Sequence, residues 1–402
     1  MFHPYSDKNK FGYYTVGDYK TYSKLEAYEE SKKTNNAVKR YFNDEVFSAI
    51  DCTIEPPLTI WEYYTQRAQQ IRDKYDYVVV MYSGGADSKT VVDSFIKNNI
   101  HVDEIAQFTH AEGSGKEAFM DREVWKVAVP TTAGIVEETP TTKHRLIDLS
   151  KYYYTEFNDA EFKFDFIYQV NNFLHPLSSI RTRIRDYVDD WKHIIDSGKK
   201  LCLVWGGDKP LVYYDWRYKK HLFSFNDVVD QMVTPMTQQV DNPGWFDELF
   251  YWTPDLPALP IKQAHLIKNF LQNPDHSLNW MYRVPGNNHP HPTEYENTDV
   301  DKRSGSTVIN GDKWYLKREA MHRLIYPTWD VTTFTDGKPP SIITHPRDAW
   351  FWGDTSSLNT ARKNFYQGVT KFQQSIPKHA LLKEDNFLRG LKPIFTRYYA
   401  LD

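Results

Sequence analysis

The chain is 402 residues long, 40% apolar and 25% charged, with a net charge of -4. That length exceeds one ordinary domain, the balance is that of a globular chain able to bury a large core, and the net acidity removes the simplest argument for strong nonspecific nucleic-acid binding. No run of about 18 apolar residues occurs, the start Met1-Phe2-His3-Pro4-Tyr5 lacks a signal-peptide pattern, and two cysteines, Cys52 and Cys202, argue against a disulfide framework or a cysteine-ligated zinc site. The expectation is a cytoplasmic, reducing location with no membrane partner.

In chain order, residues 1–70 read as a helical extension. Tyr22 to Tyr41 is rich in Lys and Glu, Leu58 to Tyr75 is a second helical stretch, and Pro56-Pro57 punctuates the chain between them. The apolar run Tyr77-Val78-Val79-Val80 reads as a strand, Met81 to Ser88 as a Gly-rich turn, and Lys89 to Asn98 as a helix. A strand near Glu104 to Thr109 follows, then a helical stretch from Lys116 to Val127 and a strand near Arg145 to Leu149. Ile180, Ile184, Tyr187, Val188, Trp191, Ile194 and Ile195 recur at helical steps. Ser178 or Ser179 can cap that helix and Gly198 stops it. The run Leu201-Cys202-Leu203-Val204-Trp205 is a buried-strand pattern ending in Gly206-Gly207-Asp208-Lys209-Pro210. Such alternation predicts an α/β fold, a doubly wound parallel sheet, across residues 71–240.

Beyond Pro210 the pattern loosens. Pro243, Pro254, Pro257 and Pro260 break a Trp-rich region, Lys262 to Leu271 is helix-like, and Gly286 to Gly311 is polar. Residues 241–402 read as an aromatic-rich, mainly helical substrate or partner domain. Its Trp245, Tyr251, Trp252, Trp280, Trp314, Trp329, Trp350 and Trp352 suit a core and interdomain contacts better than base stacking. His276, His289 and His291 lack the acidic or cysteine companions of a zinc site and read as loop histidines. Arg181, Arg183 and Arg185 read as a solvated helix face, and Trp314 to Arg323 as a charged amphipathic segment. The cluster Lys143, His144, Arg145 carries no assignment.

The turn after the first core strand carries the chemistry. A helix start leaves its first N–H groups unpaired and bears partial positive charge, and Gly84 and Gly85 allow backbone to come close to a ligand. Ser83 and Ser88 add hydroxyls. Asp87 cannot bind phosphate directly but can hold the Mg2+ that travels with it. The second turn lies at another strand's carboxyl end, where open α/β sheets bind ligands, so Asp208 and Lys209 are expected to face the same phosphates. Gly113-Ser114-Gly115-Lys116 is a decoy: His110 stands where a P-loop needs glycine, and Glu117 where it needs a hydroxyl.

The string Ser83-Gly84-Gly85-Ala86-Asp87-Ser88 after an apolar strand resembles the SGGxDS signature of the PP-loop ATP pyrophosphatases, the adenine nucleotide alpha hydrolase-like superfamily. All specified positions match. The resemblance implies a Rossmann-like fold, ATP with Mg2+, and cleavage between the α and β phosphates, with Ser83 to Ser88 binding nucleotide. The turn at Gly206 resembles the glycine-plus-acid turn of asparagine synthetase-like domains, which implies nucleotide and metal roles for Asp208 beside Asp87, and a catalytic role for Lys209 with Asp87. Lys209 stands where those enzymes often carry a second acid.

Among branches, Phe2 in place of an amino-terminal catalytic cysteine weighs against an internal glutaminase. The positions of Cys52 and Cys202 weigh against the sulfur-transfer and 3'-phosphoadenylylsulfate reductase-like branches. An adenylating ligase or synthetase remains, taking ammonia or an amine, alone or from a separate donor protein. The alternatives are a sulfur-transfer or reductase-like enzyme, or a non-catalytic nucleotide-binding protein with a protein or nucleic-acid partner.

Overall fold

A computed structural model describes residues 8–22, 24–109, 124–148, 188–207, 210–215, 218–227, 244–272, 324–328 and 394–402. At its centre is a five-stranded, wholly parallel sheet of β4 (Tyr77–Met81), β5 (Glu104–Thr109), β6 (Lys143–Asp148), β7 (Leu201–Trp205) and β10 (Trp245–Leu249), in the order β10-β7-β4-β5-β6. Every residue of β4 and β7 is buried. Continuous Val/Leu-rich runs of this kind belong to parallel strands covered on both faces, and both strands match their sequence assignments.

Helices link the strands. α3 (Ile60–Lys74) precedes β4, α4 (Ala86–Ile96) joins β4 to β5, α5 (Val129–Glu138) leads into β6, and α6 (Asp189–Asp196) leads into β7. Thr59 starts α3 with a reciprocal capping box, its hydroxyl accepting from the Glu62 N–H at 3.2 Å while the Glu62 carboxylate accepts from the Thr59 N–H at 2.7 Å. α5 lies beyond the helix expected at Lys116 to Val127, of which only a π-helical turn, Val124–Ala128, is described. Pro130 opens α5 in its first turn, where a missing N–H costs nothing. α6 is the described end of the amphipathic helix. Its Trp191 is fully buried and donates to Glu104 Oε1 at 3.2 Å, fastening the helix to the sheet.

The amino-terminal region corrects the expectation of a helical extension. β1 (Tyr13–Val16), β2 (Tyr19–Thr21) and β3 (Val38–Tyr41) form an antiparallel sheet in the order β2-β1-β3, with the Lys/Glu-rich stretch divided between α1 (Lys24–Thr34) and β3, and the short α2 (Asp44–Ser48) following. Alternation of half-buried and buried residues along β1 drives this: Tyr14 and Val16 point inward, Tyr13 and Thr15 outward. Lys24 and Asp227, both without solvent exposure, pair at 2.8 Å, and the Tyr14 hydroxyl donates to the same carboxylate at 2.8 Å.

Nor does α3 stand apart. The wholly buried Arg67 meets Glu248 Oε2 at 2.7 Å and donates to the carbonyls of Leu249 and Phe250, binding α3 to the sheet-edge strand β10. α3 spans position 70 and β10 lies past the boundary expected near Asp241, so these bonds join elements from either side of the 71–240 interval. A second antiparallel sheet, β11-β9-β8, follows the turn after β7: β8 (Leu211–Asp215), β9 (Lys220–Ser224) and β11 (Tyr399–Ala400). Phe42, Phe47, Phe225 and Trp252 pack between these layers, with Phe42 and Phe225 centroids 4.9 Å apart. α7 (Ala258–Gln272) extends the Lys262 to Leu271 expectation toward the amino terminus.

Of the aromatic residues singled out, Trp245, Tyr251 and Trp252 are buried. Trp280, Trp314, Trp329, Trp350 and Trp352 lie outside the described residues, as do the Gly113 to Lys116 decoy, Arg181, Arg183, Arg185, His276, His289, His291 and most of 241–402. Among the described residues no helix is long and apolar enough to cross a membrane.

Candidate functional site

The strand order creates the site. From β4 the chain runs outward through β5 to β6, then returns to β7 on the other side of β4 and continues to β10. The direction reverses between β4 and β7, and a crevice opens at such a point outside the carboxyl ends of the strands. Both glycine turns lie there, one after β4 and one after β7.

After β4, the Tyr82 N–H adds one more bond to the Ala106 carbonyl at 2.8 Å, and then the chain turns. Gly84 has φ of +90°, a conformation that a side chain would strain. Gly85 caps α4 in extended geometry and brings no side-chain acceptor to the first turn, the arrangement in which helix N–H groups serve an external anion. α4 therefore begins at Ala86, three residues before the helix expected at Lys89, and Ala86, Asp87 and Ser88 all belong to its first turn.

Ser88 is buried, and its hydroxyl shapes the loop from within. It accepts from the Ser83 N–H at 3.2 Å, donates to the Gly85 carbonyl at 3.3 Å and lies 3.0 Å from the Ser83 hydroxyl. Ser88 thus closes the loop on itself instead of offering its hydroxyl outward, whereas Ser83 is exposed. Asp87 is half-buried, with Oδ1 on the buried side. Lys89, the first basic residue after the loop, is taken up by Asp93 at 2.6 and 2.7 Å.

The turn after β7 packs directly on this loop. A Cβ added to Gly206 would sit 2.9 Å from Ser88 Cα, 3.0 Å from Ser88 N and 3.2 Å from the Asp87 carbonyl carbon. All three atoms belong to, or flank, the Asp87–Ser88 peptide. The turn is itself anchored: the Trp205 carbonyl accepts from Gly207 N–H and Phe250 N–H, both at 3.0 Å, and the Trp205 indole donates to Asp247 at 2.8 Å. Asp208 and Lys209 follow immediately and lie outside the described residues.

A contact absent from the sequence reading completes the surround. The buried Tyr251, just after β10, donates its hydroxyl to the Asp87 carbonyl at 2.6 Å. Burial, with the negative charge of Asp87 nearby, pushes its phenol far above the ordinary value, so it remains a donor. Nothing local marks Tyr251 within its aromatic run; only its place beside β7 makes it a neighbour of the loop.

Among the described residues no group of three or more His, Cys, Asp or Glu side chains is arranged to hold a metal ion. A single carboxylate such as that of Asp87 is the kind of ligand that Mg2+ takes when it arrives on phosphates and keeps several waters. No protein-family model matches the chain, and no curated protein matches it.

Proposed function

We propose that this protein is an ATP-dependent ligase or synthetase of the PP-loop, adenine nucleotide alpha hydrolase-like kind, cleaving ATP to AMP and pyrophosphate. The observation that carries the reading is the placement of the Ser83–Ser88 loop at the point where the parallel sheet reverses direction, with the Gly206 turn packed on its Asp87–Ser88 peptide. The first-turn N–H groups of α4, with the Ser83 hydroxyl, bind the phosphate chain. Preorganised donors of this kind stabilise charge that grows on departing pyrophosphate without reorganising. Asp87 is the residue to hold Mg2+, with Asp208 as a second oxygen donor; the ion, when bound, neutralises phosphate charge. An acceptor oxygen attacks the α phosphorus, pyrophosphate leaves, and ammonia or an amine then displaces AMP from the adenylated acceptor. Lys209 offsets charge on the leaving group.

The cysteines support a nitrogen nucleophile over sulfur transfer. Cys202 is wholly buried within β7, and burial pushes both thiols up, Cys52 to about 11, against the thiolate form that a protein-borne sulfur carrier uses. The second reading, a nucleotide-binding protein without turnover, keeps the same loop and differs only in product. Labelled pyrophosphate released from γ-labelled ATP, assayed with candidate carboxylate acceptors and ammonia, separates the two. The expected result is pyrophosphate from the wild type and a loss of at least a hundredfold in Asp87→Ala. Orthophosphate as the product rejects α–β cleavage, and ATP binding with no product from any acceptor favours the sensor.

A further inference from the structure

We propose that Tyr251 is a positioning residue for the phosphate end of the nucleotide, aiming the Ser88 N–H by gripping the opposite side of its peptide. The inference rests on the nucleotide reading of the loop. A peptide is planar, so holding the Asp87 oxygen fixes the direction of the Ser88 N–H across the same plane. The Tyr251 hydroxyl does this from 2.6 Å. Donation to the carbonyl also polarises the peptide, which strengthens its N–H as a donor toward an anion. Gly206 packs on the same peptide, so the unit is held from the β7 and β10 sides at once.

The phenol is itself rigidly placed. Its ring meets Tyr64 edge-on at 5.5 Å, Phe250 at 5.2 Å and Tyr326 at 5.8 Å. Tyr64 in turn donates to the Ile325 carbonyl and accepts from Gln263 at 3.0 Å. Ile325 and Tyr326 have no solvent exposure, so a short segment far along the chain backs the Tyr64 and Tyr251 rings. Tyr64 belongs to the same buried cluster, yet its hydroxyl bonds are to Ile325 and Gln263, not to the loop.

That difference supplies the test. Tyr251→Phe keeps the ring and deletes only the oxygen; Tyr64→Phe does the same one ring further back. Affinity for AMP-PNP with Mg2+ is measured by calorimetry, affinity for adenosine by ligand-observed NMR, and folding by thermal melting and near-ultraviolet circular dichroism. The bond lies within the protein and exists with or without nucleotide, so its loss weakens binding by no more than the value of one hydrogen bond, about fivefold. Tyr251→Phe is expected to bind AMP-PNP measurably more weakly, up to about fivefold, with adenosine unchanged, while Tyr64→Phe keeps wild-type affinity for both. Unchanged AMP-PNP affinity in Tyr251→Phe, an equal loss for AMP-PNP and adenosine, or an equal loss in Tyr64→Phe overturns the positioning role. A wild type that does not bind AMP-PNP overturns instead the nucleotide reading on which the role depends.

Discussion

Replacing Gly206 by alanine tests the contact between the two turns. No left-handed φ is involved at this position, so the cost of a methyl group comes from contact and not from backbone strain. The methyl carbon would stand 2.9 Å from Ser88 Cα and 3.0 Å from Ser88 N, against an ordinary carbon contact of about 3.5 Å or more. Something must move by roughly 0.6 Å. The atoms in the way are backbone at the start of α4, and the turn is pinned through Trp205, so neither side yields as a flexible side chain would. Overpacking of this kind costs about 1 to 3 kcal/mol, measurable as a lowered midpoint in denaturant unfolding. The displaced peptide carries the Ser88 N–H, and misplacement approaching 1 Å costs on the order of a hundredfold in rate, so pyrophosphate release is expected to fall at least tenfold. Gly134→Ala is the companion: nothing lies within 4 Å of its added Cβ, and α5 should gain up to about 1 kcal/mol with unchanged nucleotide affinity. A Gly206→Ala protein as stable as wild type and equally able to bind AMP-PNP would refute the proximity of the two turns.

Two further substitutions probe the framework. Glu248 is buried, which by itself raises a carboxyl pKa, but Lys10, Arg67 and Lys74 and the Tyr75 hydroxyl hold it well below its ordinary value. Its contribution is therefore whole above the unfolded-state value of about 4.3 and is lost as pH falls below that. Glu248→Gln leaves the buried Arg67 without its carboxylate and should cost about 3 kcal/mol at neutral pH, with a shallower decline in stability through the acid range; unfolding curves at stepped pH measure both. Lys24→Met strands the buried Asp227 carboxylate and is expected to cost about 3 to 5 kcal/mol, most of it recovered in Lys24→Met with Asp227→Asn; a double variant no more stable than the single one contradicts that coupling.

Some elements were legible because their local signal was unmixed. β4 and β7 appear in the sequence as uninterrupted apolar runs, which the structure bears out, and the Ser83–Ser88 segment as a turn before a helix, of which the structure takes Ala86 to Ser88 into the first turn of α4. The hairpin β1–β2 has a local signal of its own, Gly17-Asp18 between Val16 and Tyr19, but it is only two residues long and stands beside a Lys/Glu-rich stretch with the composition of a helix. β10 was obscured differently. Trp245-Phe246-Asp247-Glu248-Leu249 carries two acids within a strand that sits at the sheet edge, and those acids are explained only by distant partners, the Trp205 indole for Asp247 and Arg67 with two lysines for Glu248.

The division between legible and illegible follows the physics of the site itself. Each glycine turn is a local motif, so residue types alone suggest an anion for the loop after β4. That the turn after β7 packs on the Asp87–Ser88 peptide is set instead by the pairing of β4 with β7, whose register runs from Tyr77 beside Leu201 to Met81 beside Trp205. With those last residues level, Gly206 and the loop leave the sheet at the same height, and only a residue without a Cβ allows the two backbones their observed approach. The hydrogen bond from Tyr251 depends on one more pairing, Leu249 beside Trp205, which brings the end of β10 to that same level. The short sequence motif thus specifies the glycine turn itself, while the supports that hold its peptide come from two strands that follow it in the chain and reach it only through sheet topology.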